Sequence, residues 1–125
     1  MMYDTLIRNA LIIDGSNRPG FPADVAILNG RIERVGDLHD ATATEEIDAA
    51  GRGLAPGATD VHTHDDTVVI RQPQMLPKLS QGVTTVIVGN CGISASPVIL
   101  KGNPPDPMNL LGTAAAFVYP RFSDY

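Results

Sequence analysis

The sequence predicts an α/β fold, and three features predict it. Residues 3–55 break into short stretches bearing Ile, Leu and Val, separated by turn residues that include the pair Asn29-Gly30. After Pro56-Gly57 a strand, a helix-compatible stretch and a continuous β-branched run follow one another, which is the order of a parallel βαβ unit. Twelve Gly and ten Pro in 125 residues supply the tight turns that so many short elements need.

In chain order, residues 3–14 are rich in Leu and Ile and close on Asp14-Gly15, so they read as a strand ending in a turn. The stretch SNRPGFP, residues 16–22, reads as a loop. Residues 24–28 and 31–35 flank Asn29-Gly30, a two-residue hairpin turn in which both positions take positive φ; Ile27 then lies opposite Ile32. Residues 38–44 read as a polar connection, 46–48 as a short strand, and 53–55 as the start of another. Strands this short need a further sheet or domain to pack on.

Beyond Pro56-Gly57 comes a strand ending in TDVHTH. Residues 73–81 then carry Met75, Leu76 and Leu79 at helical spacing, with Gly82 at the C-cap position. Pro77 falls in the first turn of that helix or breaks it. Residues 83–88 form the second strand. Residues 96–107 are a proline-rich loop, and Asp106-Pro107 cap and start a short helix over 108–111 that Gly112 ends.

Composition narrows the function. At 43% hydrophobic and 18% charged residues the chain has material for a core and is not a disordered segment. A net charge of −5 argues against phosphate backbones and anionic lipid as partners, so neither nucleic acid nor membrane is expected. No apolar run approaches the roughly 18–20 residues needed to span a bilayer. Asp4 and the absence of a long apolar stretch near the start argue against a signal peptide. One cysteine cannot form an internal disulfide. The cytoplasm is the expected compartment.

Three residues stand out. On a strand, His62 and His64 point to one face, about 6.6 Å apart along the backbone, and two imidazoles can then meet one ion at about 2.0–2.1 Å each. Asp60 shares that face, while Val61 and Thr63 take the other. Cys91 follows the apolar strand in Gly89-Asn90-Cys91-Gly92, whose glycines allow a sharp turn. If the two strands are parallel neighbours, their C-terminal ends lie side by side and the thiol reaches the same ion; a thiolate suits zinc. Two ordinary surface histidines and an inert buried cysteine are the plain alternatives. The coincidence of all three at matching strand ends favours the metal. His39 reads as a solvated loop residue and Lys78 as a surface charge. Asp65 and Asp66 are open to a metal, acid-base or capping role, and Asn90 to holding its own turn.

The run LAPGATDVHTHDD, residues 54–66, resembles the first-strand signature of the amidohydrolase superfamily. The run LPKLSQGVTTVIVGNCGISASP, residues 76–97, together with NPPDPMNLLG, residues 103–112, resembles the D-aminoacylase branch, the N-acyl-D-amino-acid deacylases. Most relatives use a carboxylated lysine where that branch uses a cysteine thiolate. The resemblance implies a small β-sandwich, to which residues 1–56 contribute, followed from residue 57 by the first two βα units of a (β/α)₈ barrel. It implies a Zn²⁺-dependent hydrolase of the amide bond of N-acyl-D-amino acids, with His62, His64 and Cys91 at metal-ligand positions. In that family a late aspartate is the general base, and it is expected beyond Tyr125. A complete barrel needs about 250 residues. The chain is therefore expected to be the N-terminal portion of a longer enzyme, inactive alone and prone to self-association through an exposed sheet edge and through Val86, Val88 or their neighbours. A cyclic-imide hydrolase, with a lysine ligand, and a non-catalytic folding or assembly fragment are the alternatives.

Overall fold

The computed structural model describes residues 2–125. Its backbone separates into two compact units, Met1–Pro56 and Gly57–Tyr125. Among the described residues no helix is long and apolar enough to cross a membrane.

The first unit is one sheet of five strands, β1 (Met2–Ile12), β2 (Phe21–Leu28), β3 (Arg31–Gly36), β4 (Thr42–Asp48) and β5 (Gly53–Leu54). Its order is β3-β2-β1-β4, with β5 also paired to β1. The β1–β2 and β2–β3 pairs are antiparallel, whereas β4 and β5 run parallel to β1. The expected hairpin is present: Asn29 and Gly30 have φ of 52° and 72°, and Ile27 faces Ile32.

Strand β1 carries a bulge between Ile7 and Ala10, where Asn9 takes φ of 55° and its N–H donates to Asp24 at 2.9 Å. An extra residue reverses which side chains share a face. Ala10 and Ile12 therefore join Ile7, Val25 and Ile27 in one apolar cluster, while Leu6 lies with Tyr3, Ala26 and Leu38 in another.

Several boundaries depart from the sequence reading. The 16–22 loop ends early, since Phe21 and Pro22 already pair with Ile12 and Leu11; a proline is tolerated at a strand's start. The 38–44 connection is neither wholly polar nor wholly loop. Leu38 is only 3% exposed, and β4 begins at Thr42.

The second unit opens with β6 (Ala58–Asp60), α1 (Val68–Arg71), α2 (Leu76–Leu79) and β7 (Val83–Val86). The strands pair in parallel as the βαβ reading requires. The helical part is much shorter than 73–81, because Met75 takes a left-handed φ of 44° and Pro77 occupies the first turn of α2. Leu76 and Leu79 are exposed, and α1 adds a helical turn ahead of the 73–81 stretch. The second ladder stops at Val86, extended only by Ile87 N–H to the Asp60 carbonyl at 2.9 Å; Ile87, the neighbour of Val86 and Val88, is the exposed apolar residue there. Single 3₁₀ turns follow, among them Asn90–Gly92 and Met108–Leu111. Asp106 makes no capping bond to the second of these. Ile93, Leu111 and Phe117 form the core of this unit.

Candidate metal centre

The parallel β6–β7 pair places residues 61–64 and 87–91 side by side where the two strands end, because Ile87 N–H still bonds Asp60 O. Strand β6 stops at Asp60, so His62 and His64 sit on the loop beyond it and not on the strand. Strand alternation consequently does not govern this stretch. Val61 is exposed instead of packed, and Thr63 alone is buried.

Side chains hold the loop in place of a ladder. The Asp60 carboxylate accepts the His62 N–H at 3.2 Å and the Lys78 ammonium at 2.5 Å. Lys78 also lies 3.2 Å from Asp65, which in turn accepts the Thr63 hydroxyl. The Lys78 bond, then the His62 N–H, holds Asp60 below the usual carboxylate range, and Asp60 followed by Asp65 pushes Lys78 up.

Cys91 is carried on a turn that needs left-handed backbone. Gly89, Cys91 and Gly92 have φ of 76°, 59° and 72°. A non-glycine residue held there marks a strained position of the kind found at functional sites. The Asn90 amide donates to Ile87 O at 2.8 Å, which holds its own turn, and to Thr63 O at 3.3 Å, which ties the cysteine turn to the residue between the two histidines.

The result is a compact N₂S group. His62 Nε2 is 3.2 Å from Cys91 Sγ, the imidazole centroids are 5.7 Å apart and nearly perpendicular, and one donor atom from each of His62, His64 and Cys91 lies within 4.8 Å of the others. Two imidazoles and a thiolate are a donor set that zinc accepts. His64 Nδ1 is buried without a hydrogen-bond partner, and a buried polar atom left so is costly unless something engages it. On both counts the residues fit a metal ion.

Asp60, Asp65, Asp66 and His39 do not join this group. Asp60 turns to Lys78 despite its place two residues before His62. Asp66 is buried, accepts Ala95 N–H at 3.2 Å, and offers its backbone carbonyl to the Tyr125 hydroxyl at 2.7 Å. His39 is exposed between Asp37 and Asp40. Lys78 is more than the surface charge its sequence context suggests. Only its place on the helix between the two strands hinted at a contact with the end of β6.

Residues 45–125 match the model of the amidohydrolase family. A D-aminoacylase of Alcaligenes xylosoxydans xylosoxydans is 47% identical over 123 residues, which are 98% of this chain and 25% of that protein. A D-aminoacylase crystal structure superposes with a TM-score of 0.91 at 46% identity, covering 98% of this chain and 26% of the other. The N-acyl-D-glutamate deacylase of Bordetella bronchiseptica, solved with zinc and a phosphonate inhibitor, superposes with a TM-score of 0.83 at 44% identity over 90% of this chain and 24% of its own. The chain thus spans about a quarter of the length of the relatives it matches. With the family model covering everything from the middle of β4 onward, the chain belongs to the amidohydrolase family.

Proposed function

We propose that His62, His64 and Cys91 hold a zinc ion, and that this centre serves hydrolysis of the amide bond of N-acyl-D-amino acids. The observation that carries the reading is the convergence of two imidazole nitrogens and one sulfur within 4.8 Å at the ends of two parallel strands. Zinc, when bound, supplies Lewis acidity toward an acyl carbonyl and lowers the pKa of water. The chain's own residues prepare the place. The Cys91 turn presents sulfur toward His62, and Asn90 keeps that turn against Thr63. Asp60 and Asp65 are engaged by Lys78 and Asp66 is buried, so the general base is assigned to none of them.

The substrate class rests on the similarity to D-aminoacylase and to the deacylases of N-acyl-D-aspartate and N-acyl-D-glutamate. The sulfur donor beside the two imidazoles favours it over a cyclic-imide hydrolase, whose lysine ligand would come from later in the chain. We infer further that Gly57–Tyr125 supplies the first two βα units of a (β/α)₈ barrel. Its donors lie at the C-terminal ends of parallel strands, where barrels build their sites. Met1–Pro56 is read as part of the accompanying small β-sandwich. A free thiolate ligand also suits a reducing, cytoplasmic setting.

The test follows release of free amino acid from N-acetyl-D-methionine and its L enantiomer by the protein carrying these residues. Zinc-dependent release from the D form, abolished by a chelator and restored by zinc, is expected. Equal turnover of both enantiomers, or full activity in Cys91→Ala, contradicts the reading.

A further inference from the structure

We propose that Lys78 is a positioning residue for the metal centre, closing the loop that bears both histidines into a clamp; the proposal rests on the metal reading of His62, His64 and Cys91. Between the end of β6 and α1, the backbone ladder gives this loop almost nothing. Ile87 N–H bonds Asp60 O at its start, and Asp65 O accepts Val69 N–H at its end. His62 and His64 lie between those two points. The ammonium of Lys78 touches both flanks at once, at 2.5 Å from Asp60 and 3.2 Å from Asp65, so one cation from α2 joins residues five apart and encloses the two ligands. The Asp60 carboxylate passes the constraint on through its second oxygen to His62 N–H, and Asp65 passes it to Thr63 through the hydroxyl.

The clamp also determines which donors face the ion. Asp60 and Asp65 each sit within two residues of a histidine donor, and carboxylate oxygens bind divalent cations readily. With Lys78 in place both are turned to nitrogen, and the converging group is two imidazoles and a sulfur. Without it, two carboxylates held around one point repel each other and are free to swing onto the metal. A plain solvated ion pair would do neither, and its loss would leave metal binding unchanged.

Cobalt(II) binding by the full chain reads this directly, because the thiolate-to-cobalt band reports the sulfur ligand and the weaker ligand-field bands report coordination number. Zinc affinity follows by competition. Lys78→Met is expected to lower zinc affinity by about 10–100-fold, the range for residues that orient metal ligands. Its ligand-field bands should weaken as oxygen donors enter. Lys78→Arg should recover most of the loss. Gln81→Ala, two residues past the end of α2 and with its side-chain amide donating to Pro77 O, should behave as wild type. Should Lys78→Met lose its circular dichroism signal, Asp65→Asn decides, with weaker binding supporting the clamp and unchanged binding overturning it. Wild-type affinity and spectrum in a folded Lys78→Met overturn the proposal, as does an equal loss in Lys78→Arg and Gln81→Ala. Failure of the wild-type chain to bind cobalt at all would instead remove the metal centre, and the clamp with it.

Discussion

At the scale of single residues, Cys91 and Gly57 make the sharpest predictions. Cys91 is the donor contributed by the second strand end, so its removal leaves two imidazoles on one loop. Cys91→Ala should reduce zinc affinity by at least about 100-fold by calorimetric titration, as loss of a direct ligand exceeds the 10–100-fold typical of orienting partners. Gly57 acts by space. A Cβ there would lie 2.1 Å from the Thr84 hydroxyl oxygen and 2.8 Å from its Cβ, too close for rotation alone to relieve. Gly57→Ala should therefore destabilise the Gly57–Tyr125 unit by about 1–3 kcal/mol in urea unfolding, the usual cost of overpacking. The His-x-His spacing and the glycines around Cys91 were legible in the sequence, because both are local patterns with a chemical meaning. The partner of Lys78 was not. An ion pair across eighteen positions leaves no mark in either segment. Asp60 parts from the histidines for a related reason, since β6 ends at Asp60 and strand alternation reaches neither His62 nor His64.

At the scale of elements, the Asn29-Gly30 hairpin and the parallel pair β6–β7 were legible because turn chemistry and β-branched continuity are written in consecutive residues. The helical segment between those strands is shorter than its sequence pattern implies. Periodicity of Met75, Leu76 and Leu79 suggested about two turns, but left-handed Met75 and the proline at 77 leave one. Nor did any local signal announce the β1 bulge, which depends on Asn9 bonding Asp24 and Asp48 from other strands. In the hairpin, a Cβ at Gly30 would meet nothing within 4 Å, so the cost of Gly30→Ala is conformational alone. It should be about 1–2 kcal/mol, the left-handed penalty for a residue with a side chain, measured by urea midpoint. Between β1 and β4 the ion pair of Arg8 with Glu46, at 2.7 Å, holds Glu46 below its ordinary value of 4.5. A carboxylate depressed in the folded state contributes stability that is present above that value and lost as pH falls through the lower folded one. Urea midpoints of Glu46→Gln, compared with wild type from pH 7 down to pH 3, should therefore show a shallower loss on the acid side. The difference should be small, because the pair is exposed to solvent.

At the scale of the whole molecule, the chain divides into two compact units, and the candidate ligands all belong to Gly57–Tyr125. That unit has little regular structure around its donors. Its integrity rests on the small Ile93, Leu111 and Phe117 core and on side-chain bonds such as Thr67 to Leu111 O at 2.7 Å. A ligand bound only by the folded state stabilises it by mass action, about 2.7 kcal/mol at a hundredfold excess over Kd. Zinc should accordingly slow amide hydrogen exchange in peptides covering 58–66 and 83–92. The most direct measurement is zinc-edge X-ray absorption on the metal-loaded chain. Two imidazole nitrogens near 2.0–2.1 Å and one sulfur near 2.3 Å are predicted. A spectrum of oxygen and nitrogen scatterers with no sulfur, or one unaltered by Cys91→Ala, would contradict the assignment.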